Sequence, residues 1–411
     1  KKVNLMRSFA IWYNEVKKKT NENKEDSNKE NKVKLSLHIN LWRNSKRLDL
    51  PTLLDIGLDV SCLKTIDTIN IFVPFKIAKD DISDLGLTIK KSGDKLIGAI
   101  FNEDYSINIG GEGRANKALI KKIKTNVSKQ NESEIEDETI YYLDKNKPIK
   151  IIKIMNKKNN ILEEKIINAT IKKTQNIQKK NNDNGQFVLY CLKTDDQIDV
   201  KEQRNSETKL LEGTIVSIND VKSIVSNECV EEDREPDRYY FRLRLKLPEK
   251  VQIIKIEKDA NPIESFFTEI EMIDFRVNDV RSFISNLREK FEKEQRFIIE
   301  KIHYLVLRNS QDEAIYYGGP LKSRILEEEM WNSYIEEEYL KNGDLVAYHI
   351  AKKFDGVEEK NSTENSMSAL IRFKYRKTTR KKMLFAFIVA ALTGVLGNII
   401  YEFLKNTFHK L

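Results

Sequence analysis

Val33-Lys34-Leu35-Ser36-Leu37-His38-Ile39-Asn40-Leu41 alternates apolar and polar side chains at every step. A period of two belongs to a strand with one buried and one wet face, so this stretch predicts β-structure. Ile56, Leu58, Val60 and Cys62 repeat the pattern, as do Ile69, Ile71, Val73 and Phe75. Ser92-Gly93-Asp94 separates two further apolar runs and reads as a turn, after which 96–101 and 105–109 continue the extended pattern. Extended segments are also expected at 148–154, 187–192, 239–247, 251–256, 266–275, 297–307, 345–350 and 369–373. The expected fold class is α+β, a predominantly antiparallel β cytosolic region with a few helices, plus one C-terminal transmembrane helix.

Helical spacing marks fewer places. Leu5, Phe9, Trp12 and Val16 fall on one face over 3–18 and predict a short amphipathic helix that packs on a domain rather than on lipid. Ala115, Leu119 and Ile123 do the same over 114–124, and Ile161, Leu162, Ile166, Ile167 and Ile171 offer a helix inside a Lys/Asn-rich insertion. Asn278 is a good N-cap for a helix through Val280, Phe283, Ile284, Leu287 and Phe291, and 324–340 reads as helical. The organisation expected is 1–32 amphipathic helix and flexible tether, 33–200 β-rich domain with the insertion, 205–371 α+β domain, 372–382 basic juxtamembrane segment, 383–401 transmembrane helix and 402–411 short tail.

The membrane expectation rests on 383–401, nineteen residues without a charge in which only Thr393 and Asn398 are distinctly polar. Their helical length of about 28 Å is close to a hydrocarbon core of roughly 30 Å. The competing reading is a buried helix of a soluble domain. Arg372, Lys374, Arg376, Lys377, Arg380, Lys381 and Lys382 precede the run and contribute seven of the chain's net +8; Glu402, Lys405 and Lys410 add the remaining one, so residues 1–371 sum to zero. Such a cluster keeps its side of the chain in the cytosol and attracts anionic lipid headgroups, which makes the protein single-pass and tail-anchored with a cytoplasmic N-terminal region. The net charge therefore gives no global argument for nucleic-acid binding. Within the helix Ala386, Ala390, Gly394 and Asn398 recur every fourth position, a spacing that lets helices of several copies approach closely.

Composition excludes a collagen-like, disulfide-framework or wholly disordered chain: 15 Gly, 7 Pro, 3 Cys and 40% apolar residues. Cys62, Cys191 and Cys229 read as reduced thiols of a cytosolic environment. His38, His303, His349 and His409 lack metal-ligand spacing, no motif of a nucleophile elbow, zinc protease or phosphate loop is present, and neither a metal nor a cofactor is expected. Two weak anion or nucleic-acid sites remain. Gly110, Gly111 and Gly113 precede a proposed helix and would let an anion approach backbone amides, although a strand-to-helix turn explains them as well. Arg242, Arg244 and Lys246 alternate with Phe241, Leu243, Leu245 and Leu247, and with Tyr240 alongside they make a cationic strand face. An ordinary solvated strand face is the competing reading.

Together these features predict a membrane-tethered cytosolic sensor or effector that binds a protein partner and acts through helix association. Its layout suits prokaryotic antiviral defence, where nucleic acid is met through a partner. The alternatives are a membrane-anchored hydrolase and a passive recruiting anchor.

Overall fold

A computed structural model describes residues 7–16, 33–108, 116–123, 138–144, 147–155, 161–167, 185–205, 207–224, 237–259, 261–318, 320–341, 344–354, 365–377 and 380–408. They begin with β1 (Ala10–Glu15), β2 (Lys34–Trp42), β3 (Leu53–Ser61), β4 (Ile66–Val73), β5 (Ile82–Asp84), α1 (Gly86–Ser92) and α2 (Asp94–Phe101). Next come β6 (Tyr105–Asn108), β7 (Lys117–Lys122), β8 (Glu138–Asp144), β9 (Lys147–Met155), β10 (Ile161–Ile167), β11 (Gln186–Tyr190), α3 (Thr194–Gln197), β12 (Ile198–Arg204) and β13 (Leu211–Ile218). The chain continues through α4 (Val221–Ile224), β14 (Arg238–Lys246), β15 (Ile254–Lys258), α5 (Pro262–Phe267), β16 (Thr268–Val277), α6 (Ser285–Lys293) and β17 (Ile298–Asn309). It closes with β18 (Glu313–Tyr317), β19 (Lys322–Ile325), α7 (Glu328–Trp331), α8 (Glu337–Leu340), β20 (Leu345–Lys353), β21 (Met367–Arg376) and α9 (Arg380–Phe408). The fold is mostly β, 47% strand in mainly antiparallel sheets, with few helices and one long apolar helix at the C-terminal end.

Two compact units divide the chain, Lys1–Thr88 with Tyr190–Leu411, and Ile89–Leu189. In the larger unit a central sheet runs β19-β20-β17-β2-β3-β14, with β5 also paired to β14. β2 and β17 are parallel neighbours, His38 opposite His303, so residues from both sides of the 200–205 position interleave in one sheet. A second sheet runs β1-β4-β13-β12 and a third β15-β16-β21-β18. The third sheet lies on one face of the central sheet, where Phe275 stacks on Tyr304 at 4.4 Å and Tyr348 meets Phe373 at 5.1 Å. On the other face Trp331 and Tyr334 pack on Trp42 at 5.4 and 5.9 Å. Coverage from both sides explains why eight of the nine residues of β3 are buried, polar ones included.

In the smaller unit the ring of Phe101 on α2 meets Tyr105 at 5.3 Å and Phe187 at 4.9 Å, which packs the helix on the strands β11-β7-β6. A separate three-stranded sheet there runs β10-β9-β8.

Several local expectations change. The 3–18 stretch is not helical where it is described: β1 pairs antiparallel with β4, Tyr13 opposite Ile69, and Ala10 to Tyr13 are all buried. Phe9 to Tyr13 is an unbroken apolar run, the mark of a strand buried on both faces, and this outweighs the spacing of Phe9 and Trp12. Trp12 packs with Phe72, Ile215, Leu287 and Phe291, so the stripe does meet a domain, as strand rather than helix. Residues 96–101 are helix α2, not extended, with Leu96, Ile97 and Ala99 facing inward. The proposed helices near 114–124 and 161–171 are the strands β7 and β10. The 324–340 helix is instead β19 and two single turns, α7 and α8. Asn278 does not cap a helix: it adopts a φ of 53° and its Oδ1 accepts the Ile11 amide at 2.9 Å, while α6 starts only at Ser285.

Candidate functional site: the apolar helix and the cleft at its base

Helix α9 spans 29 residues. Its segment Leu384–Glu402 has a mean hydropathy of 2.1 and none of it is buried, so it is long and apolar enough to cross a membrane. A soluble core helix would hide these side chains, whereas Phe387 is 75% exposed and Leu384 62%. Thr393 Oγ1 donates back to the carbonyls of Val389 and Ala390 at 3.0 and 2.9 Å, which satisfies the hydroxyl inside the helix. Along the expected association row, Ala390, Gly394 and Asn398 are exposed and Ala386 is partly covered; a side chain added at Gly394 would meet no atom within 4 Å.

The seven-cation cluster is not one free segment. Arg372, Lys374 and Arg376 lie on β21, whose odd-numbered residues from Met367 to Tyr375 point into the core. Arg372 reaches Glu257 at 3.5 Å, Lys374 binds Asp259 at 2.9 Å and also Glu264, and Lys377 binds Glu269 at 2.6 Å. Three of the cations are thus balanced within the sheet. Arg380, Lys381 and Lys382 open α9, and their side chains lie outside the described residues.

Beside this junction is a cleft of about 600 Å³ whose charged lining comes from Lys46, Glu264, Asp312, Glu313, Lys374 and Arg376, with Phe267 in its wall. Its position is set by α5, whose Phe266 ring lies 5.9 Å from that of Phe385, the second residue of the apolar segment. Sequence reading missed the cleft, because its residues come from four separate stretches of chain and none carries a local motif.

The cation row on β14 is not a wet surface, and the structural reason is the 326–340 segment. Arg242 is fully enclosed, Arg244 is 12% exposed and only Lys246 faces solvent. Arg244 holds Asp55 with two bonds, Nε to Oδ1 at 2.7 Å and Nη2 to Oδ2 at 3.0 Å. Arg242 donates through Nη1 to Tyr240 at 2.6 Å and through Nε to Tyr334, which in turn donates to Asp55 at 2.7 Å. Burial pushes the Asp55 carboxyl up, but Arg244 and Arg242 pull it below its ordinary value, so the cluster stays ionised. Gly57 is required beneath it: a Cβ there would stand 2.2 Å from the Tyr240 hydroxyl. This arrangement pins the sheet to Tyr334 and leaves no open face for a phosphate at Arg242.

His38, His303 and His349 line up across β2, β17 and β20, with His303 Nδ1 2.9 Å from His349 Nε2 and the His38 and His303 rings 5.0 Å apart. Among the described residues no group of three or more His, Cys, Asp or Glu side chains is arranged to hold a metal. The glycine loop of Gly110, Gly111 and Gly113 lies outside the described residues, as do Cys229 and His409. No protein-family model matches the chain, and no curated protein matches it.

Proposed function

We propose that the protein is held to a membrane by a single pass of α9, with its β-rich body on the cytosolic side. We further propose that it acts as a non-enzymatic sensor or effector. In this reading the body binds a protein partner and α9 associates with copies of itself in the bilayer. The observation that carries the reading is the unburied apolar segment Leu384–Glu402, which begins eight residues after β21 ends at Arg376. With so short a connection, the third sheet stays close to the lipid surface. Arg376, Arg380, Lys381 and Lys382 on the body's side of the span support the cytosolic orientation and attraction to anionic lipid. A role in prokaryotic antiviral defence, with nucleic acid sensed by the partner, remains a layout-based part of this proposal. The second reading is a passive anchor that recruits a partner without helix association; it is favoured by the ion-paired body, which offers the bilayer few free charges.

Alkaline extraction of membranes from expressing cells tests the attachment. The full chain is expected to stay with lipid, and a chain ending at residue 379 is expected in the supernatant. Retention of the shortened chain after high-salt washing would overturn the single-pass reading.

A further inference from the structure

We propose that the cleft at the base of α9 binds the headgroup of a phosphoethanolamine lipid, with Lys46 and Arg376 on the phosphate and Glu313 on the ammonium. This rests on the membrane attachment proposed above and names a ligand for it.

The wall residues Glu264 and Phe267 belong to α5, and Phe266 between them touches Phe385, so the cleft lies level with the start of the apolar segment. Arg376 is bound to the same level through the chain, since it lies four positions before Arg380, a span of at most about 14 Å. The headgroup layer flanks the hydrocarbon core at that depth. A volume of about 600 Å³ is in the range of small-ligand sites.

Charge then selects the ligand. Three cations and three carboxylates line the cleft, and internal pairing uses up half of them. Lys374 is taken by Asp259 and Glu264, and Asp312 by Arg308 Nε at 2.8 Å and the Ser45 hydroxyl at 2.6 Å. Among the described residues, the side chains of Lys46, Arg376 and Glu313 have no ion pair. Glu313 sits opposite Lys374 in the β18–β21 register, on the sheet face that also carries Arg376. Two unpaired cations beside one unpaired carboxylate complement a phosphodiester joined to a primary ammonium, since each charge finds an ionised partner in a partly dehydrated layer. A purely anionic headgroup would leave Glu313 facing negative charge, and a choline headgroup offers that carboxylate no N–H donor.

The test uses the full chain in phosphatidylcholine vesicles alone, or with phosphatidylethanolamine or phosphatidylglycerol added. Flotation reports attachment, and native mass spectrometry of the solubilised protein reports retained lipid. Flotation in all three compositions is expected, with selective retention of phosphatidylethanolamine. The Lys46→Ala/Arg376→Ala pair is expected to lose retained lipid while still floating. Glu313→Gln is expected to lose the preference over phosphatidylglycerol. Equal retention of the three lipids, or an unchanged preference in Glu313→Gln, would overturn the headgroup site and leave attachment standing. Failure to float in any composition would instead overturn attachment itself. Soluble phosphoethanolamine is expected to compete with the lipid, and displacement by inorganic phosphate alone at equal strength would reduce the cleft to a phosphate site and overturn the lipid assignment.

Discussion

Arg308 and Glu271 meet as an enclosed ion pair, Nη1 2.6 Å from Oε1 with both side chains at 0% exposure. Glu271 belongs to β16 and Arg308 to β17, so the contact joins the third sheet to the central one. Asp312 at 2.8 Å on Arg308 and Arg43 at 2.8 Å on Glu271 extend it to four charges, two of each sign. Removing one partner strands its neighbours in an enclosed site. Arg308→Met is therefore expected to destabilise the protein by about 3–5 kcal/mol, read as a lowered urea midpoint. A loss under about 1 kcal/mol would mean that Asp312 and Glu271 relax toward solvent.

Arg242 and Lys246 separate by burial although both sit on β14. Arg242→Gln removes the donor to Tyr240 and Tyr334 and is expected to cost several kcal/mol, on the order of other broken buried charge networks. Lys246→Gln is expected to stay within about 0.5 kcal/mol of the parent. Equal effects in denaturant melts would contradict the enclosure of Arg242 by Tyr334.

Asp84 favours the folded state at acid pH. Burial pushes its carboxyl from 3.8 up to about 7, against the amides of Leu192, Gly86 and Leu87, and among the described residues its Oδ1 has no hydrogen-bond partner. The folded state then holds a proton that the unfolded chain has released, so this residue's contribution falls as pH rises from about 4 to about 7. Asp84→Asn is expected to gain stability over the parent as pH rises through that window, with a constant gap above it. A gap independent of pH would show that the carboxyl titrates normally.

His38 acts in the opposite direction. Burial lowers its pKa well below 6.5, with His303, Arg242, Lys301 and Arg238 adding to the effect, so the unfolded chain binds the proton first. Its contribution is full above pH 6.5 and is lost as pH falls below that value. His349 shifts the same way through burial and the charges of Lys301, Arg324 and Lys322. Replacing His38 by Gln is expected to flatten the acid limb of the stability profile; an unchanged slope would assign that limb to other groups.

Helix association has its own test. Because a side chain at Gly394 meets no neighbouring atom in the chain, Ala390→Ile/Gly394→Ile is expected to keep both fold and insertion. Subunit counting in bilayers is expected to show loss of oligomers, since bulky residues prevent close backbone approach. Oligomers that persist would favour the passive-anchor reading.

Much of the sheet content was legible because strand period is local: the alternation at 33–41 became β2, and the expected run 239–247 became β14 but for one residue at each end. The candidate site was half legible. Its apolar helix follows from nineteen uncharged residues in a row, whereas the cleft draws on residue 46, residues 264–268, residues 311–313 and residues 374–376 and had no signature in any one of them.

By itself, then, the sequence determined a β-rich body and one apolar helix of membrane-spanning length, because side-chain period and uninterrupted apolar length are properties of adjacent residues. Only the tertiary structure decided which polar faces are wet. Tyr334 lies 92 residues from Arg242 in the chain, and its arrival over β14 turns an expected solvent-facing cation row into an enclosed network with Asp55. The same holds for β1, where an apolar run fits a helix or a buried strand equally until β4 supplies its hydrogen bonds. Burial is set by whatever covers a face, and the covering segment is chosen by long-range packing that no local pattern encodes.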